Sequence, residues 1–80
     1  MIKLFYFAAL VDILGCASEE LAAPSPPDVR GLLALLQQRG GSWENVFGKS
    51  SVRITVNKQF AELDTPLKDG DEVAFISAWM

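Results

Sequence analysis

The feature that most constrains this fold is a polar turn that leads directly into an alternating strand near the end of the sequence. Asp69 and Gly70 favour a tight turn, because a glycine tolerates a positive φ angle and an aspartate bonds to nearby backbone. The period of two that follows predicts a strand. Its faces carry Val73 and Phe75 on one side, and Glu72, Ala74 and Ile76 on the other. The sequence ends at Met80, soon after this strand, so we expect the terminus to take part in function.

The start of the sequence shows the same period of two and predicts a first strand over residues 1–8. The face expected to meet the core carries Ile2, Leu4 and Tyr6, and the opposite face carries Lys3, Phe5 and Phe7. For Phe5, cover by a neighbouring segment and exposure are both open. We expect Phe7 to belong to an exposed apolar patch.

The segment between these strands predicts one long helix with short elements around it. Residues 9–14 are typical of a short helix that stops at Gly15, and residues 18–22 of a strand that pairs with the first. The proline-rich residues 24–27 exclude helix and lead to Asp28, the expected N-cap. The apolar stripe of the long helix consists of Val29, Leu32, Leu33 and Leu36.

The end of this helix and the next elements are also marked in the sequence. We expect Arg39 in the last turn, a helix end at Gly40-Gly41, and close approach of the sheet at Gly31. Residues 42–47 predict a short helical turn capped by Ser42. Residues 52–56 alternate β-branched and polar side chains and predict a further strand, followed by a turn at residues 57–59.

This order of elements predicts an α+β fold with a mixed sheet. The first and last strands should be neighbours, and the long helix should pack across one face. This is the β-grasp, or ubiquitin-like, arrangement. Because 80 residues suffice for one small core, we expect residues 1–80 to form a single β-grasp domain. The other face of the sheet is left open for a partner.

Composition excludes several classes of catalysis. The sequence contains no histidine, which excludes Ser-His and Cys-His nucleophile pairs and any histidine zinc site. The single cysteine, Cys16, is therefore interpreted as a buried or idle thiol. Gly40-Gly41 is not followed by the lysine and hydroxyl of a phosphate-binding loop. We expect no catalytic side chain, no metal and no cofactor.

Charge and hydropathy narrow the range of partners. The net charge is −3 and the seven basic residues are scattered, which argues against nucleic acid and favours a neutral or basic protein surface. The longest apolar run, from Leu4 to Val11, is far shorter than the roughly 20 residues of a membrane span, and no export signal precedes it. We expect a soluble, cytoplasmic protein with no membrane partner.

The sequence also resembles a known family along nearly its whole length. The segments that carry the resemblance are Met1 to Ala8, Leu14-Gly15, Asp28-Val29 with Leu32-Leu33, Val56 to Phe60, and Thr65 to Phe75. On these segments the chain resembles the small subunits of molybdopterin synthase, the sulfur carriers of molybdenum cofactor biosynthesis. It is more distantly similar to the thiamine-pathway sulfur carriers and to ubiquitin. The resemblance implies two partners, the molybdopterin synthase large subunit and an adenylating activating enzyme.

The resemblance also implies a chemical role for the C-terminal tail. In that family two terminal glycines are adenylated by the activating enzyme and converted to a thiocarboxylate, whose sulfur the large subunit uses. Here the tail reads Ser77, Ala78, Trp79 and Met80, and two bulky residues do not suit the narrow channel that glycines thread. Three explanations are open: the end is shortened or altered, the chain binds without transferring sulfur, or the tail is completed elsewhere.

The predicted function is therefore a sulfur-carrier subunit of a transferase complex with no catalytic side chain of its own. The alternative is a β-grasp protein-binding module that has lost sulfur transfer. The strand pattern and the resemblance point to Phe7, Phe60 and Ile76 as the contact with the large subunit and the activating enzyme. A core position for Phe60 and cover of Phe7 by the tail are the alternatives.

Overall fold

The computed structural model describes residues 1–48 and 52–77, which form five strands and three helices. In chain order the elements are β1 (Ile2–Phe7), α1 (Ala9–Leu14), β2 (Ser18–Leu21), α2 (Val29–Gln37), α3 (Gly41–Phe47), β3 (Val52–Val56), β4 (Gln59–Phe60) and β5 (Glu72–Ser77). All the predicted helices and strands are present, with small differences at their ends.

The two central strands of the sheet are β1 and β5, and the strand order is β2-β1-β5-β3-β4. The central strands run parallel, with Tyr6 opposite Phe75. β2 and β3 flank them in antiparallel orientation, and β4 pairs with β3 through a tight hairpin. The predicted mixed sheet with adjacent first and last strands is confirmed.

The core lies against one face of this sheet. Its central residues are Ile2, Leu4, Tyr6, Val73 and Phe75 from the strands, and Val29, Leu32 and Leu36 from α2, all at most 1% exposed. The rings of Tyr6 and Phe75 stack with centroids 5.5 Å apart, and Phe47 of α3 meets Phe75 edge-on at 5.0 Å. The predicted inward faces of both central strands are confirmed.

The first turn of α2 is held by acceptors from two other segments. Asp28 is the N-cap, as predicted, and its side chain accepts a hydrogen bond of 2.7 Å from the Gly31 amide. The amides of the first two helical residues donate to the carbonyl oxygens of Thr65 and Leu63. Because an unsatisfied helix amide is costly when buried, these bonds fix the loop that leads to β5.

The prediction that Gly31 allows the sheet to approach is wrong. A side-chain carbon at this position would collide with the carbonyl oxygen of Pro26 and lie 3.2 Å from the Asp28 carboxylate. The close approach is therefore to the preceding loop, which folds back over the helix start.

Predictions about the far end of this helix also need correction. α2 ends at Gln37, so Arg39 lies beyond the helix instead of in its last turn. α3 begins at Gly41 with Gly40 as its N-cap, so Ser42 does not cap it. The physical reason is that Gly40 and Gly41 take φ angles of 74° and 55°, which turn the chain at once into the next helix. α2 has nine residues and α3 seven, so α2 is the longest helix by a small margin.

Candidate functional site

The face of the sheet turned away from the core, called here the open face, presents its side chains in three rows. Residues paired across neighbouring strands point to the same side, so the strand register defines these rows. The first row holds Phe7, Ile76 and Arg53. The second row holds Ser18, Phe5, Ala74, Thr55 and Phe60. The third row holds Glu20, Lys3 and Glu72.

The apolar side chains of the first two rows are accessible to solvent. Phe60 is 78% exposed, Phe7 48% and Ile76 36%, whereas Phe5 is half-buried between its neighbours. At this exposure Phe60 does not belong to the core. Large apolar side chains gathered on one exposed face are typical of a surface that another protein covers.

The structure brings two of the three predicted contact residues together. Phe7 and Ile76 lie directly opposite each other on neighbouring strands. Phe60 shares the face but lies in the second row on β4, and β3 separates it from β5. At the usual strand spacing, that places β4 roughly 10 Å from β5. The three residues therefore extend across the open face, and their role in partner binding stays a prediction.

The predicted tail continues from the first row. Ser77 is the last residue of β5, and its backbone pairs with Val52 of β3. Ala78, Trp79 and Met80 lie outside the described residues, so the role predicted for the tail in group transfer remains a prediction.

A polar clasp that the sequence analysis did not identify fixes the start of β5. The Asn57 side chain accepts a hydrogen bond from the Glu72 amide and donates one to the Asp71 carboxylate, both at 3.0 Å. The other Asp71 oxygen accepts from the Lys68 amide at 2.8 Å. The bonds from Lys68 and then Asn57 hold the pKa of Asp71 below its usual value. No local pattern signals this pair, because 14 positions separate Asn57 from Asp71.

A second cluster that the sequence analysis missed joins β1, β2 and the segment after α2. The Glu19 carboxylate accepts hydrogen bonds from Tyr6 Oη at 2.8 Å and from both terminal nitrogens of Arg39 at 2.7 and 2.8 Å. The Arg39 guanidinium also lies 4.3 Å from the centre of the Trp43 ring. Arg39, which lies just beyond the end of α2, thus joins that segment to β2.

The directions of the pKa shifts in this cluster are consistent with a structural role. The bond from Arg39 is the main cause that lowers the pKa of Glu19. Burial, followed by the bond to Glu19, raises the pKa of Tyr6, and burial also raises the pKa of the Cys16 thiol. Near neutral pH the carboxylate therefore stays charged, while the phenol and the thiol stay protonated and unreactive.

A groove of about 770 Å³ lies beside β3 on the side of α2. Its lining includes Leu33, Phe47, Ile54 and Leu63, with Arg30 and Arg53 among the charged residues. Within residues 1–48 and 52–77, no three histidine, cysteine or acidic side chains gather to hold a metal. Nor does that part of the chain contain a helix of the length and apolarity needed to cross a membrane.

Known proteins match this chain over almost its whole length. The pattern of the ThiS family matches residues 4–79. The chain is also similar to the molybdopterin synthase sulfur carrier subunit of Escherichia coli (strain K12). The two are 33% identical over 75 residues, which cover 94% of this chain and 91% of that protein.

Solved structures share the fold. A Pyrococcus furiosus protein, described as a candidate molybdopterin converting factor subunit 1, superposes with a TM-score of 0.80 at 28% identity, covering 95% of this chain and 94% of that one. A chain in the complex of subunits 1 and 2 of the Helicobacter pylori molybdopterin-converting factor superposes with a TM-score of 0.70 at 23% identity, covering 95% and 90%. The second likeness shows the fold alone. The family pattern and the identity to the E. coli protein together show that this chain belongs to the ThiS family.

Proposed function

We propose that this protein is a sulfur-carrier subunit of the molybdopterin synthase type, acting in molybdenum cofactor biosynthesis. The observation that carries the proposal is the 33% identity to the E. coli sulfur carrier subunit across 94% of the chain. The open face supports it, because a carrier needs a docking surface and a reactive terminus and no acid or base of its own.

The proposed partners are the large subunit of molybdopterin synthase and an adenylating activating enzyme. Each would cover the first row, because Ile76 directly precedes the tail in the sequence. Phe7 lies opposite Ile76 on the neighbouring strand. Phe60 would extend the contact toward the edge of the sheet. The H. pylori neighbour comes from a complex of subunits 1 and 2, which is the kind of assembly proposed here. We place the protein in the cytoplasm, where its unpaired Cys16 would remain reduced.

The group to be modified in this proposal is a C-terminal carboxylate. It would attack the α-phosphorus of ATP on the activating enzyme, forming an acyl-adenylate while pyrophosphate leaves. The sequence has Trp79 and Met80 where the family has glycines, so the identity of the terminal residues becomes the decisive variable.

The test compares three proteins with an activating enzyme and ATP: the chain as printed, a Gly-Gly form carrying Trp79→Gly and Met80→Gly, and an Ala-Ala form carrying Trp79→Ala and Met80→Ala. Release of pyrophosphate and the mass of the adenylate are measured. We expect adenylation of the Gly-Gly form and little of the Ala-Ala form, which has the same length. A Gly-Gly form that stays unmodified would overturn the carrier function.

A second candidate, a β-grasp module that binds partners without transferring sulfur, is favoured by the bulky end at Trp79 and Met80. Sequencing the gene beyond the codon for Met80 distinguishes the two. Two glycine codons followed by a stop would exclude the binding module, whereas an immediate stop codon would favour it.

A further inference from the structure

Arg53 is an exposed cation placed beside the apolar end of the open face. It is the cross-strand partner of Ile76, which in turn lies opposite Phe7. Among the residues that the structure describes, no carboxylate lies within 4.0 Å of its guanidinium. Glu62 lines the same groove as Arg53 without forming an ion pair with it.

A partner that covers the first row must also accommodate the positive charge of Arg53. Neighbouring strands are roughly 5 Å apart, so a surface seated on Phe7 and Ile76 reaches the Arg53 side chain. An arginine does not lose its proton in a protein, and a desolvated charge without an acceptor is strongly unfavourable. The partner surface must therefore place a hydrogen-bond acceptor against the Arg53 guanidinium, or it cannot cover the first row completely.

We propose that Arg53 is a specificity-determining residue of the open face, which binds a carboxylate of the molybdopterin synthase large subunit next to the surface that covers Ile76. A carboxylate is the acceptor that matches the planar fork of a guanidinium with two parallel hydrogen bonds. This inference rests on the proposed function, because it assumes a partner that receives the tail through the first row.

The distribution of charge on the open face also affects the orientation in which a partner docks. The third row, at the other end, carries Glu20 and Glu72 with Lys3, and the chain as a whole has a net charge of −3. An acidic side chain of the partner is therefore attracted at the Arg53 end and repelled by the two carboxylates at the other end. Such asymmetry sets the orientation of docking, with the acidic side chain next to the start of the tail.

The test compares two charge reversals, Arg53→Glu and Arg30→Glu. Arg30 is the matched control, because it is also exposed, forms no ion pair among the described residues and lies on α2 instead of the open face. Each variant changes the net charge equally. Dissociation constants for the molybdopterin synthase large subunit are measured by calorimetry at low and high salt, and melting temperatures confirm folding.

We expect Arg53→Glu to weaken binding at least about tenfold and Arg30→Glu less than about threefold. Arg53→Gln should weaken binding less than Arg53→Glu does, and it should make binding less dependent on salt than in the unaltered protein. Arg53→Lys, which keeps the charge, should recover part of the affinity. Equal losses for both reversals, or tighter binding by Arg53→Glu, would overturn the role of Arg53 alone. If the unaltered protein does not bind the large subunit while folded, the proposed function falls, and this inference with it.

Discussion

At the scale of single residues, the open-face side chains differ in how much of each is already buried in the free protein. Phe60 is 78% exposed and Ile76 36%, so Phe60→Ala removes little packing and Ile76→Ala removes more. We expect a loss of unfolding free energy below about 0.5 kcal/mol for Phe60→Ala and about 1 kcal/mol for Ile76→Ala. Each should weaken binding to the large subunit by about 2 kcal/mol, as apolar anchors typically do. Denaturant unfolding and calorimetry measure the two quantities separately.

Leu35→Ala provides the control for this pair of measurements. Leu35 is 38% exposed, close to Ile76, but it lies on α2 away from the open face. It should lose a similar amount of stability and leave binding unchanged. A loss of several kcal/mol of stability for Phe60→Ala or Ile76→Ala would mean that the residue belongs to the core.

At the scale of elements, the start of α2 depends on the missing side chain at Gly31. Alanine is normally about 1 kcal/mol better than glycine inside a helix. Here the added carbon would meet the Pro26 carbonyl oxygen, so we expect Gly31→Ala to lower the unfolding free energy by roughly 1–3 kcal/mol. Ala34→Gly, at an exposed position of the same helix, should cost about 1 kcal/mol through propensity alone. A more stable Gly31→Ala protein would show that the Pro26 loop moves aside freely.

The β3–β4 hairpin carries backbone strain of a different kind. Asn57 and Lys58 join Val56 to Gln59 with φ angles of 52° and 70°, the pattern of a type I′ turn. Asparagine tolerates this conformation, whereas lysine does so at a cost of about 1 kcal/mol. We expect Lys58→Gly to raise the unfolding free energy by up to about 1 kcal/mol, after the entropic cost of a glycine. Lys58→Ala should change it little, because the strain remains. Thermal melts of the two variants test this prediction, and equal stability of both would contradict it.

At the scale of the whole molecule, the Glu19 cluster makes stability depend on pH. Its bond from Arg39 lowers the pKa of Glu19 in the folded state, so the folded state favours the ionised form. This contribution is complete above the unfolded pKa of about 4.3 and is lost as the pH falls through the lower, folded pKa. Asp71 acts in the same direction. We therefore expect the melting temperature to fall on acidification below about pH 4.5.

Glu19→Gln should lower the melting temperature at pH 7 and flatten its fall in acid. Glu20→Gln, at an exposed neighbour on the same strand, removes the same charge without touching Arg39 and should leave the fall in place. The same acid profile in both variants would show that the Glu19–Arg39 pair does not contribute to it.

Much of the open face could be predicted from the sequence, because the alternation of side chains between the two sides of a strand is a property of the backbone. Alternation alone identified the buried side of β1 and β5, and the adjacency of these strands then made Phe7 and Ile76 neighbours. Local chemistry likewise determined the Asp28 cap and the left-handed Gly15 that ends α1. The strand faces, the cap and the helix end depend on atoms within a few residues of one another, whereas the adjacency of β1 and β5 followed from the order of the elements.

Only the tertiary structure decided the contacts between segments distant in the sequence. It determined that Gly31 meets Pro26, that Arg39 leaves the helix to bind Glu19, and that Arg53 lies beside Ile76. The register of β3 against β5 and the path of the loops set these pairs, and neither has a periodic signature. The sequence by itself determined which face of each strand is apolar, whereas the folded sheet decided which charges border that face, because charge partners are chosen by distance in space.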